Sequence, residues 1–175
     1  DRLGSGIRQG MTDSGVETQL ATVRRLHPEL AKLGFVNLTT GVIVSEPTGD
    51  LEQFQDVAKR ETVVSALKLG EGQYGPVYRE GSGSPRFDFV LPVVFGSNRT
   101  VIVASYDLSA LLSYQIPWWV AQKNHVSIKD QNGQSIAAKS VVDQGLEDRQ
   151  HVIPFEPPGH GLNLVVTPYA APVRW

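Results

Sequence analysis

Residues 86–107 read RFDFVLPVVFGSNRTVIVASYD. Two runs rich in Val, Ile and Phe, Arg86–Phe95 and Val101–Tyr106, flank the turn tripeptide Gly96-Ser97-Asn98, so the stretch predicts an antiparallel hairpin. A third strand-like run, Tyr74 to Glu80, precedes it across Gly81-Ser82-Gly83-Ser84-Pro85 and extends the hairpin to a meander. Further upstream, Leu33 to Leu38 and Val42 to Ser45 predict another hairpin across Thr39-Thr40-Gly41. A helix is expected from Val16 to Leu26, where Val16, Leu20, Val23 and Leu26 share one face, with Asp13 or Ser14 as its cap. His27-Pro28 ends it, because the residue before proline is pushed out of the α region. A second helix is expected from Leu51 to Leu69, capped by Asp50 and closed by Gly70. Helix, hairpin, helix and meander predict one antiparallel sheet of five strands, flanked by helices and leaving a pocket on one face.

Beyond the meander, Leu108 to Leu112 predict a short helix that breaks at Ile116-Pro117, before Trp118-Trp119-Val120. The strand pattern then restarts in miniature. His125 to Lys129 alternates, Asp130-Gln131-Asn132-Gly133 is a hairpin turn, and Gln134 to Ala138 returns. His151 to Phe155 and Leu162 to Thr167 form a further pair across Pro157-Pro158-Gly159. The expected division is a larger unit over residues 1–120 and a smaller, dependent one over 121–175. Trp118 and Trp119 are expected to wedge the two together. Residues 1–11 read as a frayed lead-in.

The 175 residues include 41% hydrophobic and 19% charged side chains, the balance of a folded domain and not of a disordered tail. Sixteen Lys and Arg against eighteen Asp and Glu leave a formal charge of −2, which offers no global basic field for nucleic acid. The absence of cysteine excludes disulfides, thiolate metal sites and a cysteine nucleophile, and it suits an oxidising compartment. No run approaches the ~20 apolar residues of a membrane-spanning helix. Asp1-Arg2-Leu3-Gly4 at one end and Val173-Arg174-Trp175 at the other read as cuts from a longer polypeptide.

Catalytic and cofactor motifs are sparse. Gly70-Glu71-Gly72-Gln73-Tyr74-Gly75 fits G-x-G-x-x-G, but it follows a helix and enters a strand, the reverse of a dinucleotide-binding turn. His27, His125, His151 and His160 are widely spaced, with no metal-binding pair. No G-x-S-x-G elbow is present. The expectation is a non-catalytic domain with no cofactor and no metal.

Leu26-His27-Pro28-Glu29-Leu30, running into Leu33-Gly34-Phe35-Val36-Asn37 and Gly41, resembles the first helix and hairpin of the double-Cache (PAS-like) sensor domains of bacterial signalling receptors. Arg60, Ala66-Leu67 and Gly70 resemble that family's helix arginine and helix ending. Leu91-Pro92-Val93-Val94, Gly96-Ser97-Asn98, Val101-Ile102-Val103, Tyr106-Asp107-Leu108 and Leu111-Leu112 resemble its last two strands and following helix. Pro117-Trp118-Trp119-Val120, His125 to Asp130 and Asn132-Gly133 look like the four-carbon dicarboxylate sensor histidine kinases, in which a small membrane-proximal module follows. Two departures stand out. The long N-terminal helix is reduced to residues 1–26, and Ser105 stands where some dicarboxylate sensors carry lysine.

The resemblance implies the periplasmic, ligand-sensing part of an inner-membrane receptor, dimerising through its N-terminal helix and binding a small organic acid. A carboxylate ligand calls for arginine, whose planar fork makes two parallel bonds to it. Arg60, with Arg79 or Arg86 on the meander, is the expected clamp; Tyr74 and Tyr78 add a hydroxyl and a wall, and Ser105 a hydroxyl. In amino-acid-binding members an aspartate at position 107 looks like the ammonium acceptor, and alternation puts Ser105 and Asp107 on one strand face. Asp107 reads equally well as the N-cap of the helix that begins at Leu108 or Ser109. The alternatives are an amino-acid sensor, feeding a chemoreceptor or diguanylate cyclase, and a ligand-free dimerisation module.

Overall fold

A computed structural model describes residues 13–49, 54, 56–140, 144–156 and 160–171. The expected lead-in over residues 1–11, the cap Asp50, the helix start at Leu51 and the turn Pro157-Pro158-Gly159 lie outside the described residues. The first sheet contains β1 (Leu30–Asn37), β2 (Ile43–Glu46), β3 (Gln73–Tyr74), β4 (Arg86–Phe95) and β5 (Asn98–Asp107), all antiparallel in the order β2-β1-β5-β4-β3. Helix α1 (Asp13–Leu26) covers one face and α2 (Glu61–Leu69) the other. Helices α3 (Leu108–Gln115) and α4 (Trp118–Ala121) lead into a second sheet, with β6 (Asn124–Lys129), β7 (Ser135–Lys139), β8 (His151–Pro154) and β9 (Asn163–Pro168) in the order β7-β6-β9-β8.

The period of two along β4 and β5 assigns each side chain to a face. Phe89 opposite Ala104 and Leu91 opposite Ile102 pack with Leu33 and Phe35 beneath Val16 and Leu20 of α1. Val90 opposite Val103 packs, on the other face, with Val36, Phe54, Val57, Val63 and Ala66. Gly34 belongs to this second face. A Cβ there would come within 2.6 Å of the Phe54 ring, so glycine lets Phe54 lie flat against the strand. A third cluster joins the sheets through Phe87, Leu108, Leu112, Val126, Ile128 and Leu162.

Three expectations are corrected. The helix expected over Leu51–Leu69 is broken in its described part. Asp56 is left-handed at φ 53°, Val57–Lys59 form a 3₁₀ turn, and Arg60 is extended at φ −68° and ψ 136° before α2 begins at Glu61. Nine residues, about two and a half helical turns, separate Phe54 from Val63 and Val57 from Ala66. One straight helix would therefore turn those pairs to opposite sides, whereas all four are buried against the same sheet. The break at Arg60 re-aims the chain so that both pairs are buried. Gly70 closes α2 at φ 69°, the left-handed cap expected of it.

The strand expected over Tyr74–Glu80 shrinks to Gln73–Tyr74, with Tyr78 rejoining β4 through a lone bridge to Arg86. Pro76 lies between them and has no N–H to offer the ladder. Trp118 and Trp119, expected as the wedge, remain 68% and 60% exposed, because α4 buries Ala121 instead. The rings that join the sheets are Tyr74, Phe87 and Phe155.

Candidate functional site

A cavity of about 560 Å³ opens between α2, β3 and β4, on the face of the first sheet opposite α1. Arg60, Thr62 and Ser65 line it from the helix side, Gln73, Tyr78 and Asp88 from the sheet, and His160 from the connection between β8 and β9. Arg60 reaches it because its backbone is the extended residue just before α2. The break that lets Phe54 and Ala66 share a core thus also aims the guanidinium at the pocket.

Arg60 Nη1 lies 3.4 Å from Asp88 Oδ2. The other carboxylate oxygen, Oδ1, accepts from Tyr78 Oη at 2.7 Å and from Ser105 Oγ at 2.7 Å. Ser105 is fully buried and sits opposite Asp88 in the β4–β5 register, so its hydroxyl meets the carboxylate across the ladder. Burial, reinforced by the Asp88 carboxylate, holds the Tyr78 hydroxyl protonated well above the ordinary tyrosine range. Tyr78 therefore stays a donor at any physiological pH. Asp88 is braced by two hydroxyls from below and carries Arg60 above.

Of the residues singled out in the sequence, Arg60, Tyr74, Tyr78 and Ser105 gather around this cavity, three in its lining and Ser105 behind Asp88. Tyr74 contributes wall, but its ring packs on Phe87 and Phe89 at 5.0 and 4.9 Å and its hydroxyl donates to the Glu156 carbonyl at 2.9 Å. Burial, then the Glu156 carboxylate, pushes that hydroxyl's pKa up. Arg79 and Arg86 are outside the lining. Arg79 Nη1 donates to the Gly83 carbonyl at 3.1 Å, and Arg86 pairs with Glu80 at 3.1 Å. Asp107 is also elsewhere: its carboxylate caps α3, accepting from Ala110 N–H at 3.0 Å. The cap wins because Asp107 is the last strand residue before a helix whose first turn needs an acceptor. Asp107→Ala is accordingly expected to lower stability by about 1 kcal/mol and leave carboxylate affinity within twofold, read by denaturant melts and calorimetric titration.

Asp88 and His160 were not singled out. The signal for Asp88 was present, since a carboxylate interrupts the apolar run Phe87-Asp88-Phe89-Val90 on the face shared with Arg86 and opposite Ser105. Nothing local marks His160, which arrives from the second sheet. Among the described residues no cluster of His, Asp and Glu is arranged to hold a metal ion. None of the described helices is long and apolar enough to cross a membrane.

No protein-family model matches the chain. In sequence it is 29% identical over 164 residues to the C4-dicarboxylate transport sensor protein DctS of Rhodobacter capsulatus, a match covering 91% of this chain and 24% of that protein. The chain thus spans about a quarter of the length of that relative. The ligand-binding domain of the Pseudomonas aeruginosa amino-acid chemoreceptor PctC, solved with GABA, superposes with a TM-score of 0.60 at 14% identity, covering 95% of this chain and 87% of that one. That of the Pseudomonas fluorescens chemoreceptor CtaA, solved with L-isoleucine, gives 0.62 at 10% identity, covering 96% and 80%. These structures share the fold. Five strands and then four, with helices on both faces of the first sheet and a pocket on one of them, give the chain the fold of the double-Cache, PAS-like domains that its sequence resembles, and its sequence match is to a sensor protein.

Proposed function

We propose that the chain is the extracytoplasmic input domain of a transmembrane signalling protein, a sensor histidine kinase, and that it binds a small organic acid in the cavity beside Arg60. The larger unit, residues 1–120, holds the ligand; the smaller, residues 121–175, passes occupancy toward the membrane. The receptor dimerises through its N-terminal helix. The observation that carries this reading is the Arg60 guanidinium, braced by Asp88 at the wall of the pocket between α2 and the sheet. A positioned guanidinium recognises a carboxylate through paired, charge-assisted hydrogen bonds. The likeness to a C4-dicarboxylate sensor favours a dicarboxylate.

A second reading rests on Asp88. A carboxylate in the lining, held by two hydroxyls, offers an acceptor for an ammonium group, so an amino acid spanning Arg60 and Asp88 also fits. Calorimetric titration of the isolated chain with succinate, malate, alanine and isoleucine separates the two. A dicarboxylate ligand gives heat with succinate or malate, and Asp88→Asn preserves or tightens that binding by removing a like charge. An amino-acid ligand reverses the ranking, and Asp88→Asn then costs about tenfold or more. No binding by either class at millimolar concentration, with no rise in melting temperature, means a ligand-free module.

A further inference from the structure

The cavity is not walled by the first sheet alone. His160 lines it from the connection between β8 and β9 of the second sheet. Described residues on either side of the histidine pack against the rest of the molecule. Before it, Phe155 packs edge-on against Tyr74 and Phe87, each at 6.0 Å, and the Glu156 carbonyl accepts the Tyr74 hydroxyl. After it, Gly161 takes φ 68° and lies so close to Gln131 that a Cβ would come within 2.7 Å of that side chain, and Leu162 is buried in the cluster joining the sheets. His160 itself is left-handed at φ 54°, a conformation uncommon for a residue with a side chain.

We infer that His160 is a ligand-contacting, specificity-determining residue, which takes the second carboxylate of a dicarboxylate whose first carboxylate is held by Arg60. This rests on the organic-acid reading above and deepens it. Arg60 is the arginine of the lining, and Asp88 and Glu61 there repel an anion, so a dianion needs another donor at the far end. An imidazole supplies an N–H to a carboxylate when neutral and two when protonated. The charged and titratable groups that share the lining with it are Arg60, Glu61, Asp88, Tyr74 and Tyr78, and Glu156 precedes it on its own connection. A ligand gripped at both ends ties α2 of the first unit to the β8–β9 connection of the second. Occupancy would then strengthen a contact between the two sheets, which is what a sensor must pass on.

The test is a cycle of two ligands and three proteins, with melting temperature checked for each. Succinate and its half-amide succinamate have the same shape and differ by one carboxylate. His160→Ala and His160→Gln are expected to weaken succinate about tenfold and succinamate less than twofold, while the unliganded proteins melt as the parent does. Succinate is further expected to slow hydrogen exchange of the β8 amides in the parent and not in His160→Ala. Equal loss for both ligands assigns His160 to pocket shape and overturns the inference. So does unchanged succinate affinity in both variants. Failure of the parent to bind succinate at all overturns the organic-acid reading itself and this inference with it; binding that needs Arg60 but ignores His160 sinks this inference alone.

Discussion

Arg60→Ala is expected to cost a hundredfold or more in carboxylate affinity while leaving the domain folded. The two halves of that expectation come from different physics. Each charge-assisted hydrogen bond from the guanidinium to a bound carboxylate contributes about 1.5–3 kcal/mol, so losing the fork removes about 3–6 kcal/mol, two to four decades in Kd. Removing the cation also leaves the Asp88 carboxylate unneutralised in the pocket wall, where it repels an anionic ligand. The fold is spared because the Arg60 side chain is 36% exposed and its pair with Asp88 is 3.4 Å long; such pairs contribute at most about 1 kcal/mol. Asp88 moreover keeps the Tyr78 and Ser105 hydroxyls. Arg60→Lys separates charge from geometry, since it retains the cation without the planar fork and should recover only part of the loss. Titration calorimetry at one salt concentration reads all three proteins. Arg60→Ala binding within threefold of the parent would remove Arg60 from the site.

How much of this was legible in the sequence follows from the range of each interaction. Local patterns are written into a few neighbouring residues. The apolar run Val101–Tyr106, the alternation of His125–Lys129, the Gly96-Ser97-Asn98 turn, the Asn132-Gly133 turn and the glycine closing α2 all carry their own signal, and the corresponding elements are present. The break before α2 was also legible, through the half-turn offset between Phe54 with Val57 and Val63 with Ala66, but reading it requires knowing that both pairs face one sheet. Asp107 carried two local meanings at once, cap and ligand group, and only placement separates them. The site's second half was beyond any local pattern. Asp88 gains its role from Ser105, 17 residues on, and His160 meets a cavity whose other walls lie between 60 and 90. Long-range encounters of this kind are set by how the sheets pack, and the packing is fixed by side chains far from the pocket.

Phe87→Ala is the substitution in that packing with the largest expected effect, and it tests how the pocket's two walls are held together. Strand β4 turns Asp88 toward the ligand cavity and Phe87 to the opposite face. There Phe87 is 2% exposed and touches two rings of the first sheet, Tyr74 at 5.0 Å and Tyr106 at 5.5 Å, and Phe155, which follows β8, at 6.0 Å. Truncating a buried phenylalanine costs about 3–5 kcal/mol through lost transfer energy and the cavity left behind. That is a large part of the 5–15 kcal/mol typical of a whole domain, and it corresponds to a fall of roughly 10 °C in Tm at this chain length. The loss is also local in consequence. Phe155 and Glu156, which follow β8, pack on Tyr74, so removing the ring that Tyr74 and Phe155 share is expected to loosen the end of β8. Phe87→Leu, which keeps most of the volume, should lose less than half as much stability. Calorimetric melts of the three proteins read the stability, and hydrogen exchange over β8 reads the loosening. A fall in Tm under about 2 °C for Phe87→Ala would mean that the sheets are joined elsewhere. A full fall with unchanged β8 exchange would mean that Phe87 supports the first sheet alone.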